Sequence, residues 1–219
     1  MSIKQNLLQI KSTLPEHVTL VAVSKTKPVA DLMEAYNAGQ RIFGENKIQE
    51  MSDKWEQMPK DIEWHMIGHV QTNKVKFMAP FVSLIHGVDS LKLLEEINKQ
   101  ALKNNRIIDC LLQIYIAEEE SKFGLDEKEL SELLASPTLK EMKNIQIVGV
   151  MGMATFTDNQ NQIQKEFSHL KTIFDGLQLL QIENCKLQTV SMGMSGDYQL
   201  AIAYGSTMVR IGSSIFGGR

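Results

Sequence analysis

Short apolar runs recur along the chain at 18–24, 41–44, 63–68, 82–86, 109–116, 145–150, 187–190 and 207–211. They are rich in Val, Ile and Leu and carry few charges, which is the pattern of strands buried on both faces. Between them the apolar spacing switches to the helical period. Ile3 to Thr13 places Ile3, Leu7, Leu8 and Ile10 on one side, with Ser2 as the candidate N-cap. Pro28 to Ala38 opens on proline and closes at Gly39. Asp89-Ser90 precedes a helix from Leu91 to Asn104, and Asp126 precedes Leu130, Leu133 and Leu134. Asn159 to Leu180 spaces Ile163, Phe167, Leu170 and Phe174 helically, and Ser195 precedes a short pattern from Leu200 to Ala203. Eight strands with interleaved helices in 219 residues predict an α/β fold, a single (β/α)₈ TIM barrel domain spanning 1–219. The competing architecture is a doubly wound open sheet, which has no reason to stop at eight evenly spaced strands.

In a barrel of this kind chemistry gathers at the carboxyl ends of the strands. The first strand there delivers Ser24-Lys25-Thr26-Lys27. A partly desolvated lysine can lose its proton and form a Schiff base with an aldehyde, while the plainer reading is a solvated loop lysine. After the seventh run comes Ser191-Met192-Gly193-Met194-Ser195-Gly196-Asp197, and after the eighth Arg210-Ile211-Gly212-Ser213-Ser214. Both offer backbone amides and hydroxyls where barrels hold phosphate groups, although each string alone is also an ordinary Gly/Ser turn. Arg210 lies within the final strand, where a cation needs either a ligand or a structural ion pair. A lysine and a phosphate site sharing one mouth point to pyridoxal 5'-phosphate (PLP). An aldolase-type barrel fits less well, because its Schiff-base lysine usually comes from a later strand.

Other features narrow the classes. The net charge is −3 and no Lys/Arg cluster dominates, so no nucleic-acid surface is expected. No apolar run reaches transmembrane length and no secretory stretch follows Met1, which predicts a cytoplasmic protein with no membrane partner. Cys110 and Cys185 lie beside apolar segments without metal spacing and are expected to be buried thiols. Twelve Met among few aromatics read as core filler. His65 and His69 are expected to be hydrogen-bonded structural histidines near the mouth, not metal ligands. Glu118-Glu119-Glu120 reads as a solvated loop and Lys122-Phe123-Gly124 as a local turn.

Taken together, the strings resemble those of the YggS/PROSC family of pyridoxal phosphate homeostasis proteins. The matching segments are Val21-Ala22-Val23-Ser24-Lys25-Thr26-Lys27-Pro28, Phe43-Gly44-Glu45-Asn46 and Trp64-His65-Met66-Ile67-Gly68-His69-Val70-Gln71-Thr72-Asn73-Lys74. Lys122-Phe123-Gly124, Ser191 to Asp197 and Gly205-Ser206-Thr207-Met208-Val209-Arg210-Ile211-Gly212 complete them. The resemblance implies a barrel similar to the N-terminal domain of alanine racemase, with PLP held as an aldimine on Lys25. It implies Asn46 on the cofactor face, and Ser191, Met192, Gly193 and Ser195 with Gly212 and Ser213 near the phosphate. Arg210 would face the pyridine nitrogen. Ser213 stands where the family usually has threonine, and Val150 where it usually has leucine; the hydroxyl is kept.

The implied function is PLP homeostasis, by buffering the cofactor or delivering it to PLP-dependent apoenzymes, with no catalytic activity. A racemase needs two acid/base groups, and no second one is evident opposite Lys25. The racemase relatives bring theirs from an added domain at a dimer interface, which also predicts a monomer here. The alternatives are a weak PLP-dependent amino-acid racemase, or a barrel that binds a plain phosphate ester.

Overall fold

The strands form where β-branched and apolar residues run uninterrupted, and all eight are parallel. In the computed structural model, which describes residues 2–119, 123–180 and 182–218, they are β1 (Thr19–Val23), β2 (Ile42–Glu45), β3 (Glu63–Met66), β4 (Leu84–Val88), β5 (Ile108–Gln113), β6 (Ile145–Met151), β7 (Cys185–Ser191) and β8 (Met208–Ile211). Each pairs with the next, and β8 returns to β1 in the register Thr19↔Met208 to Ala22↔Ile211, so the sheet closes on itself. Closure removes the doubly wound alternative, which leaves two open edges.

The helices follow the same logic. Helix α1 (Ile3–Thr13) starts with a capping box: Gln5 N–H donates to Ser2 Oγ and Ser2 N–H to Gln5 Oε1. Helix α2 (Val29–Asn37) ends before Gly39, whose φ of +92° is the left-handed stop that glycine supplies. Helices α3 (Ile48–Gln57) and α4 (Val75–Met78) add to those expected from the sequence, α3 burying Ile48 and Met51 on one face. Next come α5 (Leu91–Lys103), α6 (Glu127–Ala135), α7 (Pro137–Glu141), α8 (Gln160–Gln178), α9 (Tyr198–Ala203) and α10 (Ser213–Phe216). Strand β4 begins two residues later than its apolar run, because Val82 N–H still donates to Met78 O and completes the turn after α4.

Alternation along the strands divides the core. Phe43, Trp64, Ile85, Cys110, Leu112, Val190 and Val209 face outward into the layer that packs under the helices. Val21, Leu84, Leu111, Val148, Met151 and Met208 form a separate, smaller cluster inside the barrel. His65, His86, Ser191 and Arg210 sit between the outward positions of their strands and are buried with this inner set. The interior is therefore apolar at one level and polar at the level nearest the carboxyl ends of the strands.

Candidate functional site

A cavity of about 620 Å³ opens at the carboxyl end of the barrel, within the size range of small-molecule sites. Its walls come from the residues just beyond the strands. Lys25, Thr26 and Lys27 follow β1, Asn46 follows β2, Ile67 follows β3, and Met153 and Phe156 follow β6. Met194 to Asp197 follow β7, and Gly212, Ser213 and Ser214 follow β8, with Arg210 reaching in from β8 itself.

The segment carrying Lys25 is held from behind by charge. Lys54 of α3, 5% exposed, donates from Nζ to Ser24 O at 2.8 Å, to Glu45 Oε1 at 2.7 Å and to Glu50 Oε1 at 2.7 Å. Ser24 Oγ donates to the same Glu45 oxygen at 2.6 Å, and Thr26 N–H to the same Glu50 oxygen at 2.6 Å. Both neighbours of Lys25 are thus tied to one ammonium and its two carboxylates. Thr26 has φ +64°, a left-handed conformation that a β-branched residue adopts only under constraint. Burial pushes the Glu45 carboxyl up, against the pull of Lys54 and Ser24. Its other oxygen, Oε2, is buried without a partner among the described residues.

Arg210 is held differently. Among the described residues no carboxylate stands at ion-pair distance from it. Instead Nη1 donates to Ser191 Oγ at 2.6 Å and Nη2 to Gly152 O at 3.1 Å. Burial lowers its guanidinium to about 10, so it is still a cation at neutral pH. Ser191 Oγ touches His86 Nδ1 at 3.1 Å, and His86 Nε2 touches His65 Nδ1 at 3.0 Å. Burial holds His65 down to about 3 and, with His65 and Arg210 as neighbours, holds His86 well below its ordinary value. Both rings are neutral.

The third wall is built from small residues. Gly193 has φ +95°, and a Cβ there would meet Ala201 Cβ at 2.6 Å, so the β7–α9 loop can fold back on α9 only with glycine. Gly193 O accepts from Arg210 N–H at 3.0 Å, which ties that loop to β8. Gly212 N–H donates to Ser195 Oγ at 3.3 Å, and a Cβ on Gly212 would lie 3.0 Å from Val23 O. The two loops and the end of β1 thereby meet around one corner of the cavity, lined by Ser195, Ser213 and Ser214. Asp197 stands at the same corner, accepting from Met194 N–H at 2.5 Å, with its carboxyl raised by burial.

Of the nine residues singled out in the sequence, Lys25, Asn46, Ser195, Arg210, Gly212 and Ser213 line the cavity. Ser191, Met192 and Gly193 are buried behind the wall. Ser191 meets the site through Arg210, and Gly193 through its carbonyl. His65 is a buried, hydrogen-bonded histidine, whereas His69 is half exposed beside Asp89 at 3.4 Å and stacks on Phe123. Cys110 is buried and Cys185 partly exposed, and both are free. Among the described residues no cluster of His, Cys, Asp and Glu could hold a metal ion, and no helix is long and apolar enough to cross a membrane. Glu120 and Lys122, parts of two strings noted in the sequence, lie outside the described residues. Two groups went unmarked in the sequence. His86 is detectable as the one polar ring ending the apolar run 82–86, and Lys54 has no local signal because only the tertiary fold brings it to Glu45.

Known proteins resemble this chain in sequence and fold. The family model described as alanine racemase, N-terminal domain, matches residues 1–219. The pyridoxal phosphate homeostasis protein of Aquifex aeolicus is 40% identical over 201 residues, covering 91% of this chain and 86% of that one. Its counterpart from Vibrio alginolyticus is 38% identical over 234 residues, covering 100% and 98%. The structure of PipY from Synechococcus elongatus with PLP bound superposes with a TM-score of 0.90 at 36% identity, covering 99% of this chain and 100% of that one. The alanine racemase of E. faecalis shares the fold alone: 17% identity and a TM-score of 0.79 over 58% of its length. By full-length sequence likeness as well as by fold, the chain belongs to the alanine racemase N-terminal domain family and, within it, to the pyridoxal phosphate homeostasis proteins.

Proposed function

We propose that this chain binds pyridoxal 5'-phosphate at the barrel mouth and serves to hold and release it, buffering the cofactor or delivering it to PLP-dependent apoenzymes. The observation that carries the reading is one cavity that joins a strand-end lysine, a buried arginine without a carboxylate partner among the described residues, and a corner of serines and glycines. The names of the relatives and the PLP-bound PipY structure support it. The residues present fit the cofactor at each end. Lys25 would take the aldehyde, the hydroxyls and amides around Ser195, Gly212 and Ser213 would take the phosphate, and Arg210 would face the ring nitrogen. Asn46 lies on the wall between Lys25 and Ile67 and would cover a face of the ring.

When bound, the cofactor supplies an electrophilic aldehyde carbon that condenses with an amine and releases water. The chain's own residues suit holding better than turnover. Arg210 does not readily give a proton to a ring nitrogen, so the ring would be a poor electron sink. Proton exchange at a substrate carbon needs an acid or base on each face. Among the described residues that line the cavity, the ionisable ones are Lys25, Lys27, Asp197 and Arg210. Lys27 Nζ is engaged with Gly218 O at 2.9 Å, and Asp197 with the amide of Met194.

Borohydride reduction followed by peptide mass spectrometry tests the reading. Protein incubated with PLP should carry one pyridoxyl mass on the peptide containing Lys25, and Lys25→Ala should carry none there. Saturable binding with no covalent mass would leave a plain phosphate-ester site, and no binding would overturn the reading. Mixing the loaded protein with a PLP-dependent apoenzyme should restore that enzyme's activity. Rapid exchange of α-deuterium from an amino acid, dependent on Lys25, would instead identify a racemase.

A further inference from the structure

Beneath Arg210 the barrel holds more polar machinery than a lone guanidinium needs. Arg210 Nη1 meets Ser191 Oγ, Ser191 Oγ meets His86 Nδ1, and His86 Nε2 meets His65 Nδ1, at 2.6, 3.1 and 3.0 Å. All four side chains are at least 96% buried. The proton positions follow by elimination. Arginine has no acceptor, so Ser191 Oγ receives a hydrogen from Nη1. The serine hydrogen then needs an acceptor, and among the described residues only His86 Nδ1 is in reach. His86 must therefore carry its own proton on Nε2 and give it to His65 Nδ1, which leaves the His65 proton on its Nε2. The three bonds run one way, outward from the cation, and a single tautomer of each ring satisfies them.

We propose that Ser191, His86 and His65 are positioning residues for the cofactor site, a neutral relay that fixes the Arg210 guanidinium against the ring nitrogen of bound PLP. The inference rests on the PLP reading above and goes beyond it by assigning the groups behind the wall. A long arginine side chain loses orientation unless its N–H groups are tied down. A carboxylate would tie it down but would offset the charge presented to the cavity. A serine backed by two neutral imidazoles gives direction without an ion pair, and Asp197 acts on the cation by charge alone, with no hydrogen bond to it. Gly152 O takes a hydrogen from Nη2, so the plane of the guanidinium is set by two acceptors, one ending β7 and one just past the end of β6.

Three variants separate positioning from mere packing. Ser191→Ala removes the first acceptor and His86→Leu the second. His86→Asn is the rescue, since an asparagine Oδ1 can occupy the place of Nδ1 and accept the serine hydrogen while losing His65. The readout is the 15N chemical shift of PLP labelled at the ring nitrogen, together with the Kd for PLP. The wild type should show an unprotonated, hydrogen-bonded ring nitrogen. Ser191→Ala and His86→Leu should move that resonance and weaken binding about tenfold, a change of one decade in Kd. His86→Asn should keep the wild-type resonance. In the cofactor-free protein, 15N-labelled histidines should report His65 and His86 as neutral Nε2–H tautomers. A ring resonance unchanged in all three variants, or either histidine found as the Nδ1–H tautomer, overturns the relay while leaving PLP binding intact. A wild type that takes up no PLP overturns the reading and the relay together, and is told apart because no labelled resonance is then bound at all.

Discussion

Two buried polar clusters flank the cavity, and they solve the same problem in opposite ways. Behind Lys25, Lys54 sits between Glu45 and Glu50, a charged group in which the ammonium spends all three hydrogens on Ser24 O and two carboxylates. Behind Arg210, the partners are a serine, a carbonyl and two neutral histidines. The difference tracks what each must hold. The first cluster grips backbone on both sides of Lys25, and fixed ion pairs serve that purpose because neither charge faces the ligand. On the PLP reading proposed above, the second grips a side chain whose charge would face the cofactor, and its hydrogen-bond partners orient it without an ion pair.

The comparison breaks most readily on the charged side. Lys54→Met would leave Glu45 and Glu50 with no cation between them, and the loss of one partner of a buried pair costs about 3–5 kcal/mol. Urea unfolding at neutral pH should show that loss. If the drop is below about 1 kcal/mol, the cluster behaves as a surface pair and the contrast with the relay disappears.

Acid should act next, and through the neutral side. His65 and His86 have folded values below their unfolded ones, so their contribution is present above the ordinary histidine value of 6.5 and is lost as pH falls toward about 3. At pH 4 the share of His65 alone comes to about 3 kcal/mol. Glu45 runs the other way. Its raised carboxyl favours the folded state most below the ordinary carboxylate range, and that favour fades as pH rises through its folded value. A His65→Gln, His86→Asn double variant should therefore lose about 3 kcal/mol less than the wild type between pH 7 and pH 4 in urea unfolding. An identical slope in both proteins would mean that the histidines titrate in place.

The sequence reached the two sides unequally. Eight apolar runs were enough for the barrel, because strands buried on both faces announce themselves by composition and closure follows from their number. Lys25, Ser195, Arg210, Gly212 and Ser213 were legible because they end those runs or lie in the short strings after them, Asn46 entered through the family resemblance, and all six line the cavity. The supports behind them were not. Lys54 lies on an amphipathic helix that looks solvated until Ser24, Glu45 and Glu50 are brought around its amine. His86 is 105 residues from Ser191, a contact that only strand order and register create. The family resemblance placed Ser191 in the loop near the phosphate, and the fold turns its hydroxyl inward as the acceptor for Arg210.

Ser191→Ala should have a smaller effect on stability than either change above. It strands one Arg210 hydrogen and leaves His86 Nδ1 without its donor, a deficit of about 1–3 kcal/mol in urea unfolding. A neutral result would mean that the space left by the hydroxyl takes a water that mends both bonds.

Thr26→Gly probes the charged cluster most gently. At φ +64° a threonine is disfavoured by roughly 1–2 kcal/mol relative to its normal backbone, and glycine is not, while the amide that donates to Glu50 is kept. The greater freedom of glycine in the unfolded chain takes back part of that gain, so the variant should be more stable by about 1 kcal/mol. Covalent loading of PLP on Lys25 is the second reading. More stability with weaker loading would show that the bent backbone at Thr26 is maintained to aim Lys25 into the cavity. More stability with unchanged loading would place that task on Lys54 and its two carboxylates alone, and the strain at Thr26 would be a by-product of their grip.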